Sequence, residues 1–335
     1  MNRHHIWMAT AALVGALAMA PTIAVAAEPA DRALDRLDTR KALRATTFQT
    51  APAVMDEDLV LAPSARQSLF LAKRVGALAQ AAPPPVKEPP TLTFTFVAPL
   101  AYSSNPEQAA SDADGDGHVD PSIDVTVEIP LSGFLLTLEG TADMDFNFDR
   151  PANDSTTLEG IANLDFKQFG AIVPYLNYTV DDIYDRQFGD HVVTAHSFAT
   201  GFNYSRDFPK VDPNPPAGTP PVTPVTLAFN PELARVETSS QNGDMYRAAA
   251  RLVFSGAFSQ TLGWSLSGSA TYKTYTGGTN DGRDDVSLVA GAALSSKLGN
   301  GLKLSLAARV QRNESDVDGK SYTVWSVGPT LKKAF

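Results

Sequence analysis

Carboxylates recur at alternate positions in one short stretch, "DADGDGHVD", where Asp112, Asp114 and Asp116 precede Gly117 and Asp120. Carboxylates so spaced can converge on one hard cation while glycine permits a sharp turn, as at the start of a calcium loop. The last position of a full loop would fall on Ile123 instead of a bidentate glutamate, with Asp124 beside it. Two readings stand. Asp112, Asp114, Asp116 and Asp120 form a weak Ca2+ site, with an affinity of roughly 10⁻⁴–10⁻³ M, or the stretch is a solvated acidic loop tip.

Nucleophilic chemistry has less to build on. His196 and Ser197 are adjacent, and on a strand adjacent side chains point to opposite faces. They cannot serve each other as base and nucleophile. His191 and His118, with Asp190 and Asp120 nearby, read as residues at loop bases. The chain has no cysteine, which excludes thiol chemistry, cysteine–zinc sites and disulfides. No phosphate loop or dinucleotide fingerprint is present. The expectation is a protein that is not an enzyme and that has no cofactor other than that Ca2+.

A larger set of charges has regular company. Asp124, Glu128, Glu139, Asp143, Asp145, Glu159, Asp165 and Asp181 occupy the first half of the region that begins at Thr91. Arg247, Arg251, Lys273, Lys297, Lys303 and Arg309 occupy the second. Each alternates with apolar neighbours, so the elements that carry them must be strands. In "TLTFTFVAPLAYSS", Leu92, Phe94, Phe96, Ala98, Leu100 and Tyr102 share one face. "SIDVTVEIPL" sets Ile123, Val125, Val127, Ile129 and Leu131 against Asp124, Thr126 and Glu128. The pattern continues to the closing "SYTVWSVGPTLKKAF", where Trp325, Val327, Pro329, Leu331 and Phe335 align.

About twelve such segments follow one another between residues 91 and 335, with ten to fourteen as the range. "PVTLAFNPELARVE" is the weakest, because Pro231 and Arg235 interrupt it. The connections alternate between short turns such as Ser132-Gly133 and longer stretches rich in Asp, Asn and Gly. The proline-rich "RDFPKVDPNPPAGTPP" breaks that alternation. A soluble sandwich would also alternate, but its inner face would not carry so many charges.

Residues 1–26 read as a secretory signal: Arg3, an apolar run, then Ala24-Val25-Ala26 as an A-x-A cleavage site. Residues 27–90 form an extension, helical or disordered, ending in the proline-rich "AAPPPVKEPP". The formal charge of −10 gives no reason to expect nucleic acid as a partner.

The signal, the alternating strands and the terminal Phe335 resemble those of Gram-negative outer-membrane β-barrel proteins, the general porin-like class, over residues 91–335. That resemblance implies an all-β fold, a transmembrane antiparallel up-and-down barrel with both termini in the periplasm. It also implies outer-membrane lipid as surroundings, and Phe335 as the signal read by the barrel-assembly machinery. With the less apolar face of each strand inward, the acidic residues line one wall of the lumen, with Lys167 among them, and the basic residues line the opposite wall, with no acid. The expected function is a narrow channel for small polar solutes. The alternatives are a sealed structural or adhesion barrel with a calcium-binding loop, and a component of an export system in which residues 28–90 bind a periplasmic partner.

Overall fold

The computed structural model describes residues 89–335, less 106–114, 150, 152–153, 186–187, 209–224, 241 and 260. The signal, nearly all of the 27–90 extension, Asp112 and Asp114 lie outside the described residues.

Among the described residues thirteen strands form one antiparallel sheet: β1 (Thr91–Ser103), β2 (Asp116–Val119), β3 (Ser122–Leu131), β4 (Phe134–Asn147), β5 (Ser155–Phe166), β6 (Ile172–Asp185), β7 (His191–Phe208), β8 (Val225–Thr238), β9 (Met245–Ala257), β10 (Leu262–Tyr275), β11 (Asp284–Gly299), β12 (Leu302–Ser315) and β13 (Tyr322–Ala334). Pairing of β13 with β1 closes the sheet into a barrel. β2 and β3 are halves of one strand. Against β1 the register runs through Leu100–Val119 and Val97–Ser122 without a slip, and against β4 through His118–Asn147 and Ser122–Asp143. The interruption falls at Pro121, which has no N–H to place in a ladder. The Pro121 carbonyl still accepts from the Met144 amide at 3.0 Å, and the Asp120 amide donates to Pro99 O at 3.1 Å. The ring therefore has twelve strand positions, as the alternation predicts.

The weakest expected strand is real. β8 pairs along its length with β7 and β9, although Pro231 stands in its middle. The β7–β8 ladder has no recorded pair at Phe202 and Asn203, opposite Pro231 and Asn230. There the Asn230 side-chain amide donates to Phe202 O at 3.2 Å, supplying the donor that proline lacks. The proline-rich connection beyond β7 lies outside the described residues.

Glycines with positive φ make the tight turns at the end that carries both termini: Gly133 (86°), Gly170 (64°), and Gly299 (92°) with Gly301 (70°). The seam between β1 and β13 is fastened at both ends. The Phe335 amide donates to Phe94 O at 3.0 Å, and the Ser104 amide donates to Trp325 O at 2.9 Å. Between them Gly328 presses on β1 so closely that a Cβ there would lie 2.0 Å from Leu100 O.

The outer face is apolar. Leu92, Phe94, Leu100, Leu266, Leu288, Leu306 and Val310 are all exposed. Aromatic rings mark its limits. Tyr102 and Trp325 pack across the seam at 5.4 Å at one end, and Phe134 with Phe166 at 5.5 Å at the other. Charged outer residues stand beyond the band, Arg206 over the Phe208 ring near one end and Arg235 over Tyr246 near the other. The inner face is largely polar, with apolar residues such as Val97, Ile161, Val173, Val253 and Val324 buried among the polar ones. Ile183, Val193, Ala195, Val236, Met245 and Tyr275 form an apolar cluster inside β6–β10, at the end away from the termini.

Candidate functional site

Strand alternation decides which side chains meet inside the ring. A register line that starts at Thr95 on β1 passes Asp124, Thr141, Glu159 and Asp181 before reaching Ala195 on β7. All six lie on the inner face, and the line climbs from near the foot of β1 to the upper part of β7, as strand tilt requires. On this side Asp124, Glu139, Asp143, Asp145 and Asp181 are buried, while Glu128, Glu159 and Asp165 are half-buried. Short hydroxyl and amide side chains separate them. Thr141 donates to Asp124 Oδ1 at 2.9 Å, and Asn163 and Thr157 are buried on the same wall.

Six strand positions away, β9–β12 carry the cations inward. Lys273 and Arg309 are buried, and Arg247, Arg251, Lys297 and Lys303 are half-buried. In a ring of twelve, β3–β6 and β9–β12 are diametrically opposed. The two groups therefore face each other across the lumen. The cations also stack by register. Lys297 faces Lys303 and Lys303 faces Lys332 on three consecutive strands, and Lys332 is only 2% exposed.

A network closes the gap between the walls at β6–β9. Tyr175, 1% exposed, donates its hydroxyl to Glu232 Oε2 at 2.9 Å. Arg247 Nη2 donates to Glu232 Oε1 at 3.0 Å. Asn230 Nδ2 donates to Tyr175 Oη at 3.3 Å and to Asn203 Oδ1 at 2.7 Å. Gly201 makes room for this ring, since a Cβ there would lie 2.7 Å from the Tyr175 hydroxyl oxygen and 2.2 Å from Pro231 O.

Three expectations need correction. The basic half is not free of acid: Asp285 opens β11 facing inward, 1% exposed, and accepts two hydrogen bonds from buried Arg283. Asp285 precedes the alternating run that begins at Val286, so alternation alone does not bring it onto the wall. Lys167 does not face the lumen; it lies beyond the end of β5 and is exposed. The stretch 112–120 is not all loop, because Asp116 begins β2, and buried Asp116, His118 and Asp120 share its inner face. Asp116 accepts the Asp149 amide at 3.1 Å, and Asp120 lies 3.6 Å from His118 Nε2. Among the described residues no three His, Asp or Glu side chains are grouped as metal ligands.

His191 packs beside Asp182. Its Nε2 is 3.6 Å from Asp182 Oδ1 and 3.0 Å from Thr194 Oγ1, while Thr194 donates to that same carboxylate oxygen at 2.5 Å. A nucleophilic relay needs the imidazole between hydroxyl and carboxylate, using both ring nitrogens. Here one nitrogen faces both, and the arrangement fastens the base of a connection. His196 takes the outer face, its Nδ1 2.8 Å from the Tyr178 hydroxyl.

Lys332, Glu232 and Arg283 are further functional candidates. Lys332 was legible, since it shares parity with Thr330. Glu232 was hidden behind Pro231. Arg283 lies in a connection, where alternation says nothing. Phe335 is exposed, with Lys333 5.5 Å from its ring centre.

No family model matches the sequence, and no curated protein matches it. Solved structures do resemble the fold. An outer membrane channel from Pseudomonas putida F1 aligns with a TM-score of 0.46 at 9% identity, covering 76% of this chain and 100% of that one. A bacterial polysaccharide outer membrane secretin aligns at 0.42 with 10% identity, covering 75% and 100%. The translocator domain of the autotransporter NalP from Neisseria meningitidis aligns at 0.36 with 13% identity, covering 79% and 95%. The chain is a closed antiparallel β-barrel of twelve strand positions, similar in architecture to outer-membrane barrel proteins.

Proposed function

We propose that this barrel is an outer-membrane channel for small polar solutes, with the end that carries the termini in the periplasm. The apolar outer face, bounded by aromatic rings and then by charges, suits a bilayer and would be a liability in water. The observation that carries the channel reading is the two-signed lumen. Acids on β3–β6 opposite cations on β9–β12 set a field across the passage, which orients dipolar solutes and penalises apolar ones. The barrel's size fits: twelve strands lie between barrels filled by side chains and porins with an open aqueous channel.

Burial supports a second reading. Lys332, Arg309, Lys273, Asp124 and Asp143 are all buried, as expected of a lumen filled by charges that meet one another. In that reading the barrel is sealed, and function moves to its far end, where the acidic stretch 112–120 would hold Ca2+.

Single-channel recording of the purified protein in a planar bilayer separates the two. Discrete steps with an ion selectivity that changes in Asp143→Lys support the channel. A silent bilayer, from protein shown to be folded by its heat-dependent gel mobility, removes it. Calcium titration followed by thermal unfolding checks the second reading, which needs a rise in stability that is lost in Asp116→Asn.

A further inference from the structure

The apolar cluster of Ile183, Val193, Ala195, Val236, Met245 and Tyr275 differs from the scattered apolar residues of the lumen, because its members pack against one another. It lies at the end away from the termini, on the inner faces of β6–β10. Apolar surface grouped in this way inside a passage sheds water and can close it by dewetting. The cluster is also covered. Ile183 and Val193 are 0% exposed, although the inner wall near the rim of an open barrel is wet.

Two connections beside the cluster are fastened to each other. Asn242 follows β8, and its Oδ1 accepts the Thr279 amide at 2.7 Å and the Thr279 hydroxyl at 3.2 Å, both from the β10–β11 connection. The Asn242 main-chain carbonyl accepts Asn280 Nδ2 at 2.8 Å. Asp244 adds a second tie, since its main-chain carbonyl accepts the Thr276 amide at 2.9 Å and its carboxylate accepts the Thr238 amide at 2.6 Å. Connections that stand free at a rim are exposed, yet Asn242, Asn280 and Arg283 are all buried. The Tyr275 amide donates to Arg283 O at 2.9 Å, and the Arg283 guanidinium lies 4.6 Å from the centre of the Tyr275 ring, paired with inward-facing Asp285. The fit depends on Gly278. Its φ is 60°, and a Cβ there would lie 1.9 Å from Asn242 Oδ1.

We propose that these two connections form a cap that keeps the β6–β10 side of this mouth dry, and that Asn242 is the residue that positions it. Entry is thereby confined to the rest of the rim, where the inner residues Asp116, Asn147 and Asn313 are polar. Loss of the Asn242 side chain removes the acceptor of both Thr279 donors and lets water reach the cluster, whereas an aspartate keeps an oxygen in the same place. The inference deepens the channel reading and rests on it only for conduction, since the cap covers the cluster in a sealed barrel too.

The chain has no cysteine, so a single introduced thiol can report on the cluster. Val236→Cys, in the full chain folded in detergent, is labelled with a polar maleimide. The expected result is slow labelling, roughly tenfold faster once Asn242→Ala is added and still slow with Asn242→Asp. Gly278→Ala should accelerate labelling as Asn242→Ala does, and serves if that variant fails to fold; heat-dependent gel mobility shows which barrels are closed. Fast labelling of Val236→Cys alone, equal rates with and without Asn242→Ala or Gly278→Ala, or fast labelling with Asn242→Asp overturns the cap. In a planar bilayer Asn242→Ala should pass single-channel currents about twofold larger than wild type. Equal currents overturn the cap's hold on entry. Faster labelling of Asn242→Ala with a silent bilayer from both proteins keeps the cap and removes the channel.

Discussion

The two walls of the lumen are built by opposite means. On the acidic side the charges are short, and Thr141, Thr157 and Asn163 stand among them at similar height. The carboxylates stay close to the backbone, where a neighbouring hydroxyl such as Thr141 Oγ1 reaches Asp124. On the basic side the charges are long, and their neighbours are Gly291, Ala293, Ala307, Ser305 and Gly328. Long side chains need a low floor, because arginine and lysine lay their stems along the wall. An acid wall can be made by placing carboxylates, but a basic wall also requires clearing the ground around each cation.

Gly328 lies on the same wall, where β1 approaches so closely that a Cβ would meet the Leu100 carbonyl, and it carries the largest expected effect. Gly328→Val should stop β13 from docking on β1, at a cost above ~3 kcal/mol. Loss of the heat-dependent gel shift would report it, and a normally closed barrel would show that the close approach of β1 is not a constraint. Next in size is the join between the walls. Arg247→Gln removes the partner of Glu232 and should cost about 2 kcal/mol, allowing for its partial exposure. Urea unfolding in lipid vesicles measures that loss, and the paired change Glu232→Gln in the same chain should recover part of it.

A smaller effect should separate the walls functionally. Asp143→Lys and Lys303→Glu should move the reversal potential in opposite directions under a salt gradient, each by roughly 1 kcal/mol of ion preference. Shifts of the same sign would end the description of two opposed walls. Arg312 and Glu314 supply the smallest. They pair at 2.7 Å on the outer face, and both are well exposed. Arg312→Ala should change stability by less than about 0.5 kcal/mol, which places the energetics of charge inside the ring.

Much of this is legible along the chain, because period two is a local property. Phe94 and Thr95 must point opposite ways whatever the rest of the protein does. The faces, the strand positions and most of the wall residues follow from that rule alone. It fails where a strand does not look like one. Pro231 hides Glu232, the Asp284 start of β11 hides Asp285, and β2 puts Asp116 on the inner wall from within a stretch that reads as a loop.

Alternation along residues 91–335 thus already contained an outward apolar band and an inward charged face, since each residue's side is set by its immediate neighbours. Only closure of the ring decided who meets whom. The pairing of β13 with β1, the register that sets Lys303 against Lys332, and the reach of Asn230 to Phe202 and Tyr175 all join residues far apart in the chain. Such contacts depend on strand number, tilt and stagger together, and no short window of sequence carries those three quantities.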